Sequence, residues 1–297
     1  MPLTAAGLVL LSALLHVAWN ALAKRSTDPV LFMALKGTVL VGVGVLLVAA
    51  VGPSTVPAGA WPFVIASGLI HTGYVISLGR AYDAGDISFV YPIARSAPAF
   101  VPVLAWALLG ERVSPLGAAG VALVVCGVML LQLRDSGHAG QQILRSLSSP
   151  EGRWAIATLS CVVAYSLVDK AGMERMSAVA AVHPALPGPL YFVLENILCY
   201  AVYLAFLVRQ RPAGVLAFCR AEWPMAVVAG LCTLASYSLI LHVFQTEPVS
   251  YVVALRQCSV LLAVLVGWLW LREPQGLHRF LYGAAISLGL GLVVIWG

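Results

Sequence analysis

Apolar stretches long enough to cross a bilayer follow one another along almost the whole chain. A spanning helix needs roughly 20 mostly apolar residues. Ten such runs can be read, at about 3–23, 31–51, 60–80, 88–109, 114–133, 153–172, 187–208, 223–243, 249–271 and 276–296. A barrel strand would alternate over only about 10 residues, so unbroken runs of this length predict helices. The expected fold is an all-α membrane protein with ten transmembrane helices. Composition agrees, with 61% hydrophobic and 10% charged residues and a mean hydropathy of +0.95. A soluble domain carries about 25% charged residues. The net charge of +5 lies in short loops between the runs, which is membrane topology and excludes a nucleic-acid-binding stripe.

The chain also echoes itself. Tyr165 lies 146 residues after Trp19, and Lys170 the same distance after Lys24. Ser88-Phe89-Val90 recurs as Ser250-Tyr251-Val252, Glu111 as Glu273 and Gly127 as Gly289, all 162 residues on. The difference of 16 places an insertion in the second copy, around Ser177 to Pro189. Two weakly similar apolar halves predict two five-helix inverted repeats, with a substrate held where they meet. The division is residues 1–135, a connecting loop at 136–152, and residues 153–297. The first run has no basic flank, and His16, Trp19 and Asn20 interrupt it, so it is expected to stay in the mature protein rather than be cleaved. No GxxxxGK[ST] loop occurs, which argues against ATP-driven work by this chain alone. The six cysteines are scattered, all but Cys219 within runs, and read as small apolar fillers. Lysines and arginines fall eleven to three on the loops joining runs 1–2, 3–4, 5–6, 7–8 and 9–10, which puts both termini outside.

Polar residues within spans carry the functional information, because each is costly in lipid. Ser12, His16, Asn20 and Lys24 form a stripe at every fourth position with Trp19 beside it, either a cavity wall or interhelical glue. Ser67, His71, Tyr74 and Tyr82 share a face of the third span, although Tyr82 also suits the interfacial aromatic belt. The fourth span contains Pro92, Pro98 and Pro102, which are expected to break the backbone ladder. Arg95 lies about 10 Å inside it, and Arg256 and Gln257 fall at the matching depth of the ninth span. Two guanidinium groups so placed would flank one anionic group, with a fork suited to a carboxylate; the alternative is a structural ion pair or carbonyl cap. Glu195 would carry a coupled proton or neutralise an arginine. Tyr165 and Asp169 lie one turn apart on the sixth span, and Tyr237 lies on the eighth. Gly117, Gly120 and Gly127, with Gly283, Gly289 and Gly291, suit close packing of spans 5 and 10, within each half or across a weak homodimer.

The chain resembles the EamA family of the drug/metabolite transporter superfamily. The resemblance rests on His16-Val17-Ala18-Trp19-Asn20 with Lys24, on Ala81-Tyr82-Asp83-Ala84-Gly85-Asp86 before Tyr91-Pro92, on Pro98 and Pro102, on Gly110-Glu111-Arg112, and on Gly120 and Gly127. The second half departs from it, with Arg272-Glu273-Pro274 for Gly-Glu-Arg and Val260 where the first half has Pro98. The resemblance implies an inner-membrane carrier working by alternating access, exporting amino acids, other metabolites or drugs in most members. It also implies cytoplasmic termini, against the charge count. The expected substrate-binding set is His16, Trp19, Asn20, His71, Tyr74, Tyr82, Arg95, Tyr165, Tyr237, Arg256 and Gln257, with Glu195 the proton-coupling candidate and no metal or cofactor. Aromatic residues beside arginines suit a small amphipathic molecule with a carboxylate, such as a bulky amino acid. A multidrug cation carrier, a lipid flippase and a membrane-embedded enzyme are the alternatives.

Overall fold

The computed structural model describes residues 1–84, 93, 96–133, 149–210, 215–262 and 277–297. No strand occurs among them. The helices are α1 (Leu3–Arg25), α2 (Pro29–Val51), α3 (Trp61–Ala84), α4 (Ala97–Leu109), α5 (Pro115–Leu133), α6 (Pro150–Arg175), α7 (Ser177–Val182), α8 (Pro187–Gln210), α9 (Val215–Phe244), α10 (Val249–Leu255) and α11 (Leu277–Trp296). Six are long and apolar enough to cross a membrane, at Leu3–Ala23, Val30–Val51, Ala58–Ala81, Gly152–Arg175, Pro187–Ala205 and Phe218–Phe244. The other four expected runs coincide with shorter apolar helices at Ala97–Leu109, Pro115–Leu130, Val249–Leu262 and Leu281–Trp296. Large apolar side chains cover the outside: Leu46 is 72% exposed, Leu108 69% and Trp106 66%. Water would not tolerate so much apolar surface, and acyl chains would. The protein is an all-α membrane protein.

Local chemistry explains where helices start and stop. Asp28 caps α2, its carboxylate accepting from the amides of Val30 and Leu31 at 3.0 and 3.1 Å, and Pro29 follows where no amide is needed. Pro98 sits in the first turn of α4, where it costs no backbone bond, and Pro102 lies inside a helix that nonetheless continues to Leu109. The fourth span leaves regular helix at Ser96, just before Pro98, while Pro92 and Arg95 lie outside the described residues, and the ninth span breaks as well. There α10 ends at Leu255, Arg256 and Gln257 form a turn, and helix resumes at Cys258. Tight bonds carry the chain through it, from Gln257 N–H to the Ala254 carbonyl at 3.0 Å and from Val260 N–H to the Gln257 carbonyl at 2.9 Å. The stretch near Ser177 contains the short helix α7.

The described chain forms two compact units, each drawing on both sequence halves. The first contains residues 1–13, 77–167 and 247–297. Its core joins Val121 of α5, Tyr251 and Ala254 of α10, and Val293 of α11. Helices α5 and α11, one from each sequence half, meet through glycine; the small residues marked close packing but not this partner. A methyl group added at Gly120 would lie 2.8 Å from the Gly289 carbonyl oxygen, and one at Gly289 2.7 Å from that of Gly120. Glu111 caps α10, accepting from the amides of Val249 and Ser250 at 2.7 and 3.3 Å and from the Ser250 hydroxyl at 2.6 Å. The Met1 ammonium donates to the carbonyls of Val294 and Gly297, which brings α1 beside the end of α11.

The second unit contains residues 14–76 and 168–246. Here α2 packs against α8 and α9, and α8 against α9. Trp19, Phe32, Ala226 and Ala229 form a buried cluster within it.

The α5–α11 contact is testable. Gly120→Leu forces overpacking and is expected to lower stability by about 1–3 kcal/mol, read as thermal unfolding in detergent. Gly7→Ala, with nothing within 4 Å of the added methyl, should stay within about 0.5 kcal/mol of the parent.

Candidate functional site

Four helices of the second unit bring polar side chains to one dry point. Ser67 and His71 lie one turn apart on α3, Asp169 lies on α6, Tyr191 and Glu195 lie one turn apart on α8, and Tyr237 lies on α9. The approach of α3 to α8 is close because Gly68 has no side chain: a methyl there would lie 2.8 Å from the Glu195 carbonyl oxygen. Ser67, Asp169, Tyr191 and Glu195 are all completely buried.

The Ser67 hydroxyl stands between two carboxyl groups, 2.5 Å from Asp169 Oδ1 and 2.6 Å from Glu195 Oε2. The Tyr237 hydroxyl donates to Asp169 Oδ2 at 2.5 Å. A serine hydroxyl has a single proton, and an ionised carboxylate only accepts. The two short contacts at Ser67 therefore require one of the carboxyl groups to bring a proton of its own. His71 Nδ1 is 3.1 Å from the same hydroxyl and 3.8 Å from Glu195 Oε1. Its ring stands edge-on to Tyr74 at 6.5 Å and to Tyr237 at 5.7 Å, and Tyr237 in turn touches Phe192 at 5.0 Å.

Among the described residues Glu195 Oε1 has no hydrogen-bond partner. Buried polar atoms left open in this way are rare and call for an explanation. No lysine or arginine among the described residues is bonded to either carboxyl. Lys170 follows Asp169 in sequence, but its ammonium donates to the Phe244 carbonyl at 2.7 Å and pairs with Glu174 at 3.5 Å. His71, Asp169 and Glu195 also offer three ligand atoms within 4.8 Å of one another. The short oxygen–oxygen contacts through Ser67 are hydrogen bonds.

A second polar feature of the same unit lies on α1 and α2. The Lys36 ammonium sits 3.9 Å above the Trp19 ring. The Trp19 indole N–H donates to His16 Nδ1 at 3.2 Å, and His16 meets it edge-on at 5.1 Å. Asn20 is exposed and donates to the His16 carbonyl at 2.7 Å.

Of the residues singled out from sequence, His16, Trp19, Asn20, His71, Tyr74, Glu195 and Tyr237 fall in this unit, and His71, Tyr74, Glu195 and Tyr237 form one cluster. Tyr165, Arg256 and Gln257 belong to the first unit. Arg95 and the side chain of Tyr82 lie outside the described residues, so the arginine pair has no observed geometry. Lys36 and Tyr191 were not anticipated; Lys36 is the lone charge in the apolar run of α2, a signal that was there to be read. Ser67 and Asp169 were noted on their faces but not as members of one site.

Residues 3–133 match the EamA-like transporter family. A protein of a Sinorhizobium species, described as an uncharacterized transporter in the cobO 3' region, is 30% identical over 101 residues, 33% of this chain and 72% of that protein. A solved structure, described only as the crystal structure of a protein, superposes with a TM-score of 0.70 over 99% of this chain and 96% of that one. Its identity is 19%, so it speaks for the fold alone.

Ser67→Ala and Tyr237→Phe each remove a hydroxyl bonded to Asp169. Each is expected to cost about 1–3 kcal/mol of stability in detergent unfolding. Because both act on one carboxyl, the double variant should depart from the sum of the two by roughly 0.5 kcal/mol or more.

Proposed function

Because the chain belongs to the EamA-like transporter family, a multi-pass membrane transporter of the drug/metabolite type rather than an enzyme, we propose that it exports small organic metabolites carrying a carboxylate, amino acids first among them, by proton-coupled alternating access in a bacterial-type inner membrane. The observation that carries this reading is the buried Asp169–Ser67–Glu195 bridge. Two acidic groups in spanning helices, with no bonded cation among the described residues, are held there only if protons or a substrate cation balance them. The open Oε1 of Glu195 is the vacant acceptor through which a proton enters or leaves, and His71 stands beside it as relay. Trp19, Tyr74 and Tyr237 supply aromatic surface for the apolar body of the substrate, while Arg256 and Gln257, at the break after α10, are proposed as further substrate contacts. The turn there takes the backbone out of regular helix, which is how transporters of this kind expose polar groups at membrane depth.

The same acidic bridge favours a second reading, in which the transported molecule is an organic cation. The two separate cleanly in proteoliposomes. In the favoured reading, an imposed pH gradient drives accumulation of labelled phenylalanine. Glu195→Gln and Asp169→Asn abolish that drive while leaving exchange of phenylalanine across the membrane intact, and Arg256→Gln lowers carboxylate transport about tenfold. Wild-type coupling in both acidic variants would sink the proton assignment. Transport of tetraphenylphosphonium but not of phenylalanine, lost in Glu195→Gln, would establish the cation carrier instead.

A further inference from the structure

Among the described residues, no carboxylate pairs with Lys36. It is the eighth residue of α2, about 10 Å in from the Pro29 end at 1.5 Å per residue. Its side chain is only 2% exposed. Among the described residues, the partner of its ammonium is the face of Trp19. An indole ring replaces part of what water gives an ammonium, but a buried cation ordinarily has a carboxylate or carbonyl as well. Lys170 in the same unit shows the ordinary case, with both.

The acidic groups of the unit are all committed elsewhere. Asp28 caps α2, Glu222 of α9 accepts from the amide and hydroxyl of Thr27, Glu174 pairs with Lys170, and Asp169 and Glu195 share Ser67. The elements packed on Lys36 present apolar or weakly polar groups: Cys199 from α8, the backbone near Gly230 from α9, and the Tyr200 ring against the neighbouring Gly37. The Trp19 face is itself held in place, since its N–H is tied to His16. The arrangement is a desolvated cation on a fixed aromatic plate, with its donors unspent. Cys199 lies within electrostatic reach of both Lys36 and Glu195, so this feature and the acidic bridge share one wall, a turn apart on α8.

We propose that Lys36 is the receptor for the carboxylate of the transported molecule, and that Trp19 is the place where its ammonium rests when the carrier is empty. An incoming carboxylate takes the ammonium as its counter-ion through charge-assisted hydrogen bonds. The indole face then packs on the apolar body of the same molecule. This rests on the carboxylate reading given above and adds to it the residue that selects the charge. It also gives Trp19 a role distinct from simple core packing.

The test compares hydrocinnamate with its neutral isostere hydrocinnamamide on the purified full-length chain. By isothermal titration calorimetry, the wild type is expected to bind the acid about tenfold or more tighter than the amide. Lys36→Gln removes that preference, and Lys36→Arg, which keeps the charge, retains most of it. Equal preference in Lys36→Gln and wild type overturns the assignment. A measurement on the wild type alone covers the case in which the variant does not fold: saturating hydrocinnamate should protect Lys36 from acetylation by acetic anhydride, read by peptide mass spectrometry. Unchanged acetylation of Lys36 overturns it equally. Proteoliposome uptake of labelled phenylalanine separates the two possible failures. Uptake that survives Lys36→Gln refutes the role of Lys36 and leaves the carboxylate carrier standing. A wild type that takes up neither phenylalanine nor hydrocinnamate refutes both.

Discussion

One hydroxyl group organises the second unit. Ser67 lies within 2.6 Å of two acidic side chains from two other helices, in a place sealed from solvent. Neither acid could be buried alone at tolerable cost, and the two together repel when both are ionised. The serine, the tyrosine behind Asp169 and the histidine beside Glu195 turn this liability into a connected set of donors and acceptors. Helices α3, α6, α8 and α9 are thereby tied at one level, and their relative depth follows from the bond lengths. A polar knot of this kind stabilises when every lone pair is met and loosens when a proton departs. Within the knot, Glu195 Oε1 is left without a partner among the described residues.

Lipid explains why such features stand out. Outside the knot, the surfaces of α1 to α11 are almost uniformly apolar, and within a bilayer nothing drives one apolar helix toward another except close fit and shared polar bonds. The two units solve this differently. The first uses shape, with Gly120 and Gly289 letting the backbones of α5 and α11 touch. The second uses chemistry. Glu111 stands between these extremes, a carboxylate spent on capping α10 rather than on binding anything.

What could be read from sequence was whatever repeats locally. Long apolar runs marked the spans, and the spaced glycines marked close packing without naming the partner. The site was legible only in part. His71, Tyr74, Glu195 and Tyr237 stood out one by one, because polar groups in lipid are costly. Their convergence depends on contacts across 102 and 128 residues, which no local period encodes. Lys36 escaped notice because one lysine scarcely changes the average of a 23-residue apolar helix. The break after Leu255 was missed for the opposite reason. Prolines advertise a kink in the fourth span, whereas Arg256-Gln257 carries no such mark and owes its turn to surroundings the sequence does not display.

The contact at Gly68 has a kinetic consequence. Because the backbone of α3 lies directly against the Glu195 carbonyl, no side-chain rotation can clear a path there. Rotamer changes take picoseconds to nanoseconds, while helices part over roughly microseconds to milliseconds. Any separation of α3 from α8 at this point therefore belongs to the slower process, at a residue that has no side chain at all.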